Sequence, residues 1–583
     1  MKKARINLEI IISVAVIAAI AIVVGICGDY YFDLNDDVLM KDILSGAYTG
    51  APDGHNIQML YPVSLFISLL YGIGSNIDWY GIFLLTCQYF CLGTIIYKTL
   101  KAGRNLEIKI IAVIAETAVI FGFFGAHLIY VQYTVVCGLL AATAAFAILT
   151  SEFPKGGMID AVISVAMLLI AFLIRSEMLL LMLPMFFVTV LMKFAFSSKV
   201  MSFIRLGTAI VIGLVLCLGI HKLAYSSSDW KEFNRFFDNR TELYDFQYIP
   251  DYEENKEFYD SIGLSEGEYQ LLVNYNFGLD DEIDADVLIE VAEYADSIRG
   301  EENPVFTRLK ESLVLYLYRL RSIGIPRSYE YPMTDYPWNA GVILLYASAV
   351  ILALTGYNKL RQLLLLVVLF ITRSGLWLFI IYRGRDPVRI THPLYFTEIL
   401  ILLGMILITA DGRMRIKTAS LVALSLIGII SIPSVLGVIR NENLQREEML
   451  ANYGALYDYF RENEDSFFFL DVYSSVSYAD EVQYEVATYS EKMFYNVDNS
   501  VYNHDILGGW ASKSPLSAKK LEQAGLFDVQ TALISDGVYF VQTLSKDTSW
   551  LYDYYRDKGI EIKIEKTGEI ADLFAIYDIT RVQ

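Results

Sequence analysis

Five cysteines in 583 residues, none of them after Cys217, leave the polar parts of this chain without a disulfide framework or a CxxC zinc ribbon. Cys27, Cys87, Cys91, Cys137 and Cys217 all fall in apolar runs, where thiols serve as small packing residues. Charge is scarce as well. Charged residues make up 19% of the chain against 55% hydrophobic, with a mean hydropathy of +0.43, which excludes disordered and collagen-like classes. Positive charge is the scarcest: 46 Lys and Arg face 66 Asp and Glu, for a net charge of −20. Such a chain has no electrostatic grip on a nucleic-acid backbone. The five histidines (55, 127, 221, 392 and 504) form no HExxH or other compact metal motif.

What the sequence does have is a series of apolar runs near the length that crosses a hydrocarbon core of ~30 Å. The basic Met1–Arg5 precedes the run Leu8–Ile26, and no small-residue cleavage site follows. This predicts a retained first span with a cytoplasmic N-terminus. Ile57–Ile73 holds Pro62 and is followed at once by Trp79–Tyr97, which ends in the basic Lys98–Arg104. One net crossing separates Asp29 from Lys98, so Ile57–Ile73 is expected to be an outer juxtamembrane helix. Further spans are Ile108–Phe124, Tyr133–Thr150, Met158–Ile174, Met178–Met192, Val200–Ala224, Ala340–Gly356, Leu363–Tyr382, Pro393–Ala410 and Thr418–Val438. The expectation is an α-helical polytopic membrane protein with about eleven transmembrane helices. Lys155, Lys193, Lys199, Lys359, Arg361, Arg413, Arg415 and Lys417 fall consistently on the inner connections.

Four parts follow. Residues 1–224 form an N-terminal membrane module with an outer loop 29–56 and a juxtamembrane helix 57–73. An outer insert, 225–339, is acidic: Tyr225–Trp338 holds 25 Asp/Glu against 10 Lys/Arg. Residues 340–439 are C-terminal membrane helices with an outer arginine loop 383–392. Residues 440–583 read as an outer α/β domain, with a helix at Leu444–Glu462, strands at Ser466–Val472, Gly537–Gln542, Ile560–Ile564 and Leu573–Ile579, and a helix opening at Ser514-Pro515. This tail has no GxGxxG, P-loop or nucleophile elbow, and no chemistry is assigned to it. The plasma membrane is the expected location, with the C-terminal domain outside.

Three features carry candidate chemistry. Asp36 and Asp37 stand in the acidic stretch Asp29–Asp37 just outside the first span, where one carboxylate can take a proton from an acceptor hydroxyl and its neighbour can hold the acceptor or a divalent cation. Arg383, Arg385 and Arg389 crowd an outward loop, against the usual depletion of arginine on that side; guanidiniums at headgroup level suit a lipid-linked phosphate. Arg175 and Glu177 form a charged break between two spans. His55 and His392 sit in the two outward loops. Arg373, midway along its span, is expected to pair with Glu116 or to line a cavity.

This order of features resembles the GT-C superfamily of membrane glycosyltransferases, which includes protein O-mannosyltransferases and the aminoarabinose transferases of lipid A. A first span leads to a loop with an acidic pair (Asp36-Asp37), a small-residue turn (Ser45-Gly46 through Pro52), and a juxtamembrane helix with an early proline (Tyr61-Pro62-Val63-Ser64-Leu65). Leu60-Tyr61-Pro62 stands where some relatives carry His-Pro-Pro or Lys-Pro-Pro. The resemblance spans residues 1 to about 440. It implies Asp36 as catalytic base with Asp37 as partner, Arg383, Arg385 and Arg389 on the donor phosphate, and His55, Arg175, Glu177 and His392 near substrate. It also implies a polyprenyl-phosphate-linked sugar donor and a glycan, lipid or protein acceptor in the cell envelope; Mg²⁺ or Mn²⁺ is a possible cofactor. A lipid-linked-sugar flippase or transporter, an envelope polysaccharide polymerase or ligase, and a non-enzymatic scaffold are the alternatives. The charges inside spans, Glu116 and Arg373, keep the transporter in play.

Overall fold

The computed structural model describes residues 8–103, 105–323, 335–408, 413–478, 488–494 and 502–582. Met1–Arg5, Arg104, Ala410 and parts of the insert and tail lie outside the described residues.

The helices run in chain order as α1 (Leu8–Cys27), α2 (Asn35–Ser45), α3 (Tyr61–Ile73), α4 (Trp79–Ala102), α5 (Leu106–Gly122), α6 (Gly125–Ile129), α7 (Tyr133–Thr150), α8 (Met158–Ile174), α9 (Ser176–Phe194) and α10 (Val200–Ala224). The insert supplies α11 (Ser228–Phe246), α12 (Lys256–Ser261), α13 (Glu266–Val273), α14 (Ala285–Glu302) and α15 (Val305–Arg321). Then come α16 (Trp338–Leu354), α17 (Lys359–Tyr382), α18 (Val388–Ile408) and α19 (Met414–Glu462).

Among the described residues, eight helices are long and apolar enough to cross a membrane: α1, α4, α7, α9, α10, α17, α18 and α19. Three expected spans, α5, α8 and α16, are helices of 17 residues. Helix α3, opened by Pro62 in its first turn, has only 13 residues, roughly 20 Å at 1.5 Å per residue, which is short of a crossing.

Burial sorts the helices by role. α7 is apolar all round and 94% of its membrane-length window is buried, so it forms the axis of the bundle; α10, at 11%, is left to face a nonpolar solvent. Close approach depends on small residues. A Cβ on Gly122 of α5 would lie 2.0 Å from the Gly428 carbonyl oxygen of α19, and one on Gly138 of α7 would lie 2.4 Å from Pro393 of α18. Lys155, Lys193, Asn358 and Arg413 line one cavity of about 440 Å³, so connections expected on the same side do meet at one end of the bundle.

The structure joins two elements that the sequence reading kept apart. The span Thr418–Val438 and the helix Leu444–Glu462 are one continuous helix of 49 residues, about 74 Å long, with Pro433 inside it. The expected boundary at residue 440 therefore falls within α19. Its C-terminal end packs on a five-stranded sheet: β3 (Phe467–Leu470), β4 (His504–Ile506), β5 (Val538–Thr543), β6 (Ile562–Ile570) and β7 (Phe574–Arg581), in the order β4-β3-β5-β7-β6. The first three strands are parallel, and β7 pairs antiparallel with β5 and β6. Ser514 caps the helix Pro515–Gln523 by accepting from the Ser517 N–H.

The period of two in β3 explains why insert and tail are one body. Phe468 and Leu470 pack with Met449, Tyr453, Leu456 and Phe460 of α19. Phe467 and Phe469 face the other way, into a core shared with Phe236, Leu243, Tyr259, Leu271 and Leu288 of the insert. The seam is tight: a Cβ on Gly508 would lie 1.9 Å from the Tyr275 carbonyl oxygen.

Candidate functional site

Helix α2 begins at Asn35, and this places Asp36 and Asp37 in its first turn. Carboxylates there are favoured by the free backbone N–H groups and the partial positive charge of the helix start. Gly46 ends the helix at φ +94°, donating its N–H to the Asp42 carbonyl; a Cβ there would lie 2.6 Å from the Ala51 backbone carbon. Adjacent helical residues point about 100° apart, so the pair divides its roles.

Asp37 turns inward and is fully buried. Its Oδ1 accepts the Tyr80 hydroxyl at 2.8 Å and the Tyr133 backbone N–H at 3.3 Å. Its buried Oδ2 has no hydrogen-bond partner. Burial pushes the Asp37 carboxyl well above the ordinary carboxylate range; Tyr80 opposes this and the charges of Asp36 and Asp33 add to it. Asp36 is half-buried, and its Oδ1 accepts Trp510 Nε1–H at 3.0 Å from the outer domain.

The loop leading into α2 is held from three sides. Two short strands, β1 (Tyr31–Phe32) and β2 (Tyr130–Val131), pair in parallel and tie the loop to the segment before α7. Arg446 of α19 donates to the carbonyls of Phe32 and Asp33, to Asp33 Oδ1 at 3.0 Å and to Ser490 Oγ. Its guanidinium also lies over the rings of Tyr31 and Tyr130. Burial raises the Asp33 carboxyl while Arg446 and Arg389 pull it down.

The arginine trio divides. Arg389 has no hydrogen-bond or ion-pair partner among the described residues, and its charge is felt at Asp33, Tyr133 and Arg385. Arg385 pairs with Asp245 of the insert at 3.0 Å; burial lowers its affinity for its proton, Asp245 opposes that, and Arg389, Arg175 and Arg240 add to the lowering. Arg175 donates to the Tyr133 hydroxyl at 3.1 Å and to Gln58 Oε1, pairs with Glu177, and feels Asp36 and Asp245. Asp36, Arg175, Arg385 and Arg389 thus share one electrostatic neighbourhood around Tyr133. Arg383 lies 3.9 Å over the Phe246 ring and 3.6 Å from Glu242, and Arg385 lies over the same ring at 5.8 Å.

The remaining candidates lie elsewhere. His55 donates its Nδ1–H to Asp53 Oδ1 (2.8 Å) and stacks on Trp230 between Tyr61 and Tyr225, clamping the 29–56 loop to α3 and the insert. Glu177 is largely exposed beyond its contact with Arg175. His392 shares a 2.8 Å hydrogen bond with His127 and stacks on Trp338 inside the bundle. Arg373 pairs with Glu398 at 2.9 Å, both fully buried, rather than with Glu116, which accepts from Thr99. Among the described residues, three carboxylates converge only at Glu268, Asp280 and Glu282, and the Lys558 ammonium already occupies their centre, 2.7 Å from Glu268 and 2.8 Å from Asp280.

Sequence reasoning missed Tyr80, Tyr133, Trp510 and Arg446, which position the acidic turn, and Arg240 and Asp245, which border the site from the insert. The tyrosines open apolar runs and carry no distinguishing spacing; the others lie hundreds of residues from their partners. The sequence matches no protein-family model, and no curated protein matches it.

Proposed function

We propose that this chain is a membrane glycosyltransferase of the GT-C kind. It moves a sugar from a polyprenyl-phosphate-linked donor to a cell-envelope acceptor on the outer face of the plasma membrane. In this reading α5, α8 and α16 join the eight long helices as spans, giving eleven, and α2, the insert and the tail lie outside. The observation that carries it is that half-buried Asp36 stands in the first turn of α2 beside Asp37, which accepts the Tyr133 backbone N–H, while Arg175 donates to the Tyr133 hydroxyl and Arg389 has no partner among the described residues.

The chemistry is a single displacement. The acceptor hydroxyl gives its proton to the Asp36 carboxylate as its oxygen bonds to the anomeric carbon, and the bond from that carbon to the lipid phosphate oxygen breaks with inversion. The electron pair leaves with the phosphate, whose growing charge Arg389 and Arg385 stabilise. Asp37 is a positioning residue, fixed by Tyr80 beneath the acceptor side.

A flippase or transporter would rest on Glu116 and Arg373; Arg373 is neutralised by Glu398 in a buried pair, while Glu116 accepts from Thr99. A polysaccharide polymerase or ligase shares the donor and differs in its acceptor. The test is transfer from radiolabelled polyprenyl-phosphate sugars in membranes by Asp36→Asn and Asp37→Asn variants. Loss of transfer in Asp36→Asn supports the reading; wild-type transfer in both variants refutes it.

A further inference from the structure

The insert does not stand wholly above the bundle. Arg308 of α15 lies 5.0 Å over the ring of Tyr382, the last residue of α17. Arg319 reaches Asp386, beyond that end, and lies 4.9 Å over Trp377. Tyr316 goes deeper. Its hydroxyl is 2.6 Å from Ser374 Oγ and accepts from Arg373 Nη1 at 2.9 Å. Ser374 comes eight residues before Tyr382, about 12 Å inside the helix end at 1.5 Å per residue. Helix α15 therefore lies beside the last turns of a membrane-length helix. Its contacts deepen on passing round it from Arg308 and Arg319 to Tyr316.

The faces of α15 are ordered to match. The side toward α17 is buried at Ser312, Tyr316 and Arg319. At about 100° per residue, the next arc past Tyr316, about 80° wide, holds Leu309, Leu320, Leu313, Phe306 and Leu317. Leu320 is half-buried and the other four are exposed. The arc after that holds the exposed Lys310, Arg321, Thr307 and Glu311, with Val314 among them. The apolar arc is thus on the deep side and the charged arc is turned away from it. On α17, Phe370, Ile371 and Phe379 bracket Ser374 and are exposed as well, so apolar surface continues from one helix to the other at the same depth. An exposed apolar strip beside a membrane-length helix, with a charged flank above it, is the pattern of a helix lying in a bilayer interface.

We propose that α15 is an interfacial anchor, its Phe306, Leu309, Leu313 and Leu317 covered by the acyl chains of the leaflet in which α17 ends. Lys310, Glu311 and Arg321 stand at headgroup level. The anchor holds the insert against the membrane surface at a place of its own, apart from the spans on either side of it in the chain. It does not depend on the glycosyltransferase reading and needs only that α17 cross a bilayer.

The test is photolabelling of the full chain in phosphatidylcholine liposomes, with a diazirine-bearing residue put in place of Leu313 or Leu317, or of Lys310 or Glu311 on the charged flank. Mass spectrometry compares lipid adducts with water adducts at each position. The Leu313 and Leu317 positions are expected to give lipid adducts about tenfold more often than the Lys310 and Glu311 positions. Only protein that melts as the wild type does is compared, and two positions on each flank keep the contrast intact if one of them disturbs folding. Water adducts as frequent at Leu313 and Leu317 as at Lys310 and Glu311 would overturn the proposal. Crosslinks from Leu313 or Leu317 to a second copy, or to another segment of the same chain, in place of lipid would overturn it too.

Discussion

Tyr80 of α4 donates its hydroxyl to Asp37 of α2 at 2.8 Å, so a membrane-length helix sets the position of the acidic turn above it. Removing that hydroxyl leaves Asp37 Oδ1 with a single backbone donor. Tyr80→Phe is expected to cost about 1–3 kcal/mol of stability, since a buried acceptor loses a donor. Thermal unfolding measures it.

Arg446 ties α19 to the backbone of the outer loop through several donors at once. Arg446→Met strands those carbonyls and the Asp33 carboxylate in a buried place and is expected to cost about 3–5 kcal/mol. Arg446→Lys recovers little, because an ammonium cannot span the fork. Denaturation of both variants, with proteolysis of the 29–56 loop as a second readout, checks the claim.

Asp42 makes stability depend on pH. Burial raises its carboxyl from 3.8 to about 6, with Lys41 opposing and Glu491 adding. Between these values the folded chain binds more protons than the unfolded one, so this contribution is fully present below 3.8 and is lost as pH rises through 6. Melting temperature is expected to gain on going from pH 7.5 to 5 in the wild type, and to gain less in Asp42→Asn.

Trp510 of the C-terminal domain donates to Asp36. Trp510→Phe is expected to lower sugar transfer about tenfold, the worth of a charge-assisted hydrogen bond, while leaving the melting temperature within about 1 °C. A parallel fall in stability would mark the indole as a packing residue instead.

The sidedness of the chain is open to cysteine labelling. Glu177→Cys and Phe527→Cys, both well exposed, are expected to react with an impermeant maleimide on intact cells. Tyr357→Cys, also exposed but at the basic end of the bundle, is expected to react only after lysis.

The elements that hydrophobic period and helix punctuation could report were legible in the sequence. The apolar helices, the break at Arg175, the juxtamembrane helix at Pro62 and the tail strands stand close to where the sequence places them, because each is fixed by local pattern. What failed was long-range. Nothing local reveals that Arg440 lies inside a continuous helix, that Phe467 and Phe469 turn to the insert, or that Arg383 and Arg385 both lie over the Phe246 ring of the insert. Asp36 and Asp37 were legible as a pair, but their division into a half-buried and a buried carboxylate follows from Tyr80, Tyr133 and Trp510.

The most direct measurement separates donor binding from sugar transfer in a single turnover, with purified protein preloaded with radiolabelled polyprenyl-phosphate sugar. The account predicts that Asp36→Asn retains bound donor but fails to transfer, whereas Arg389→Gln fails to load. Transfer by Asp36→Asn at the wild-type rate, with Arg389→Gln loading normally, would contradict it.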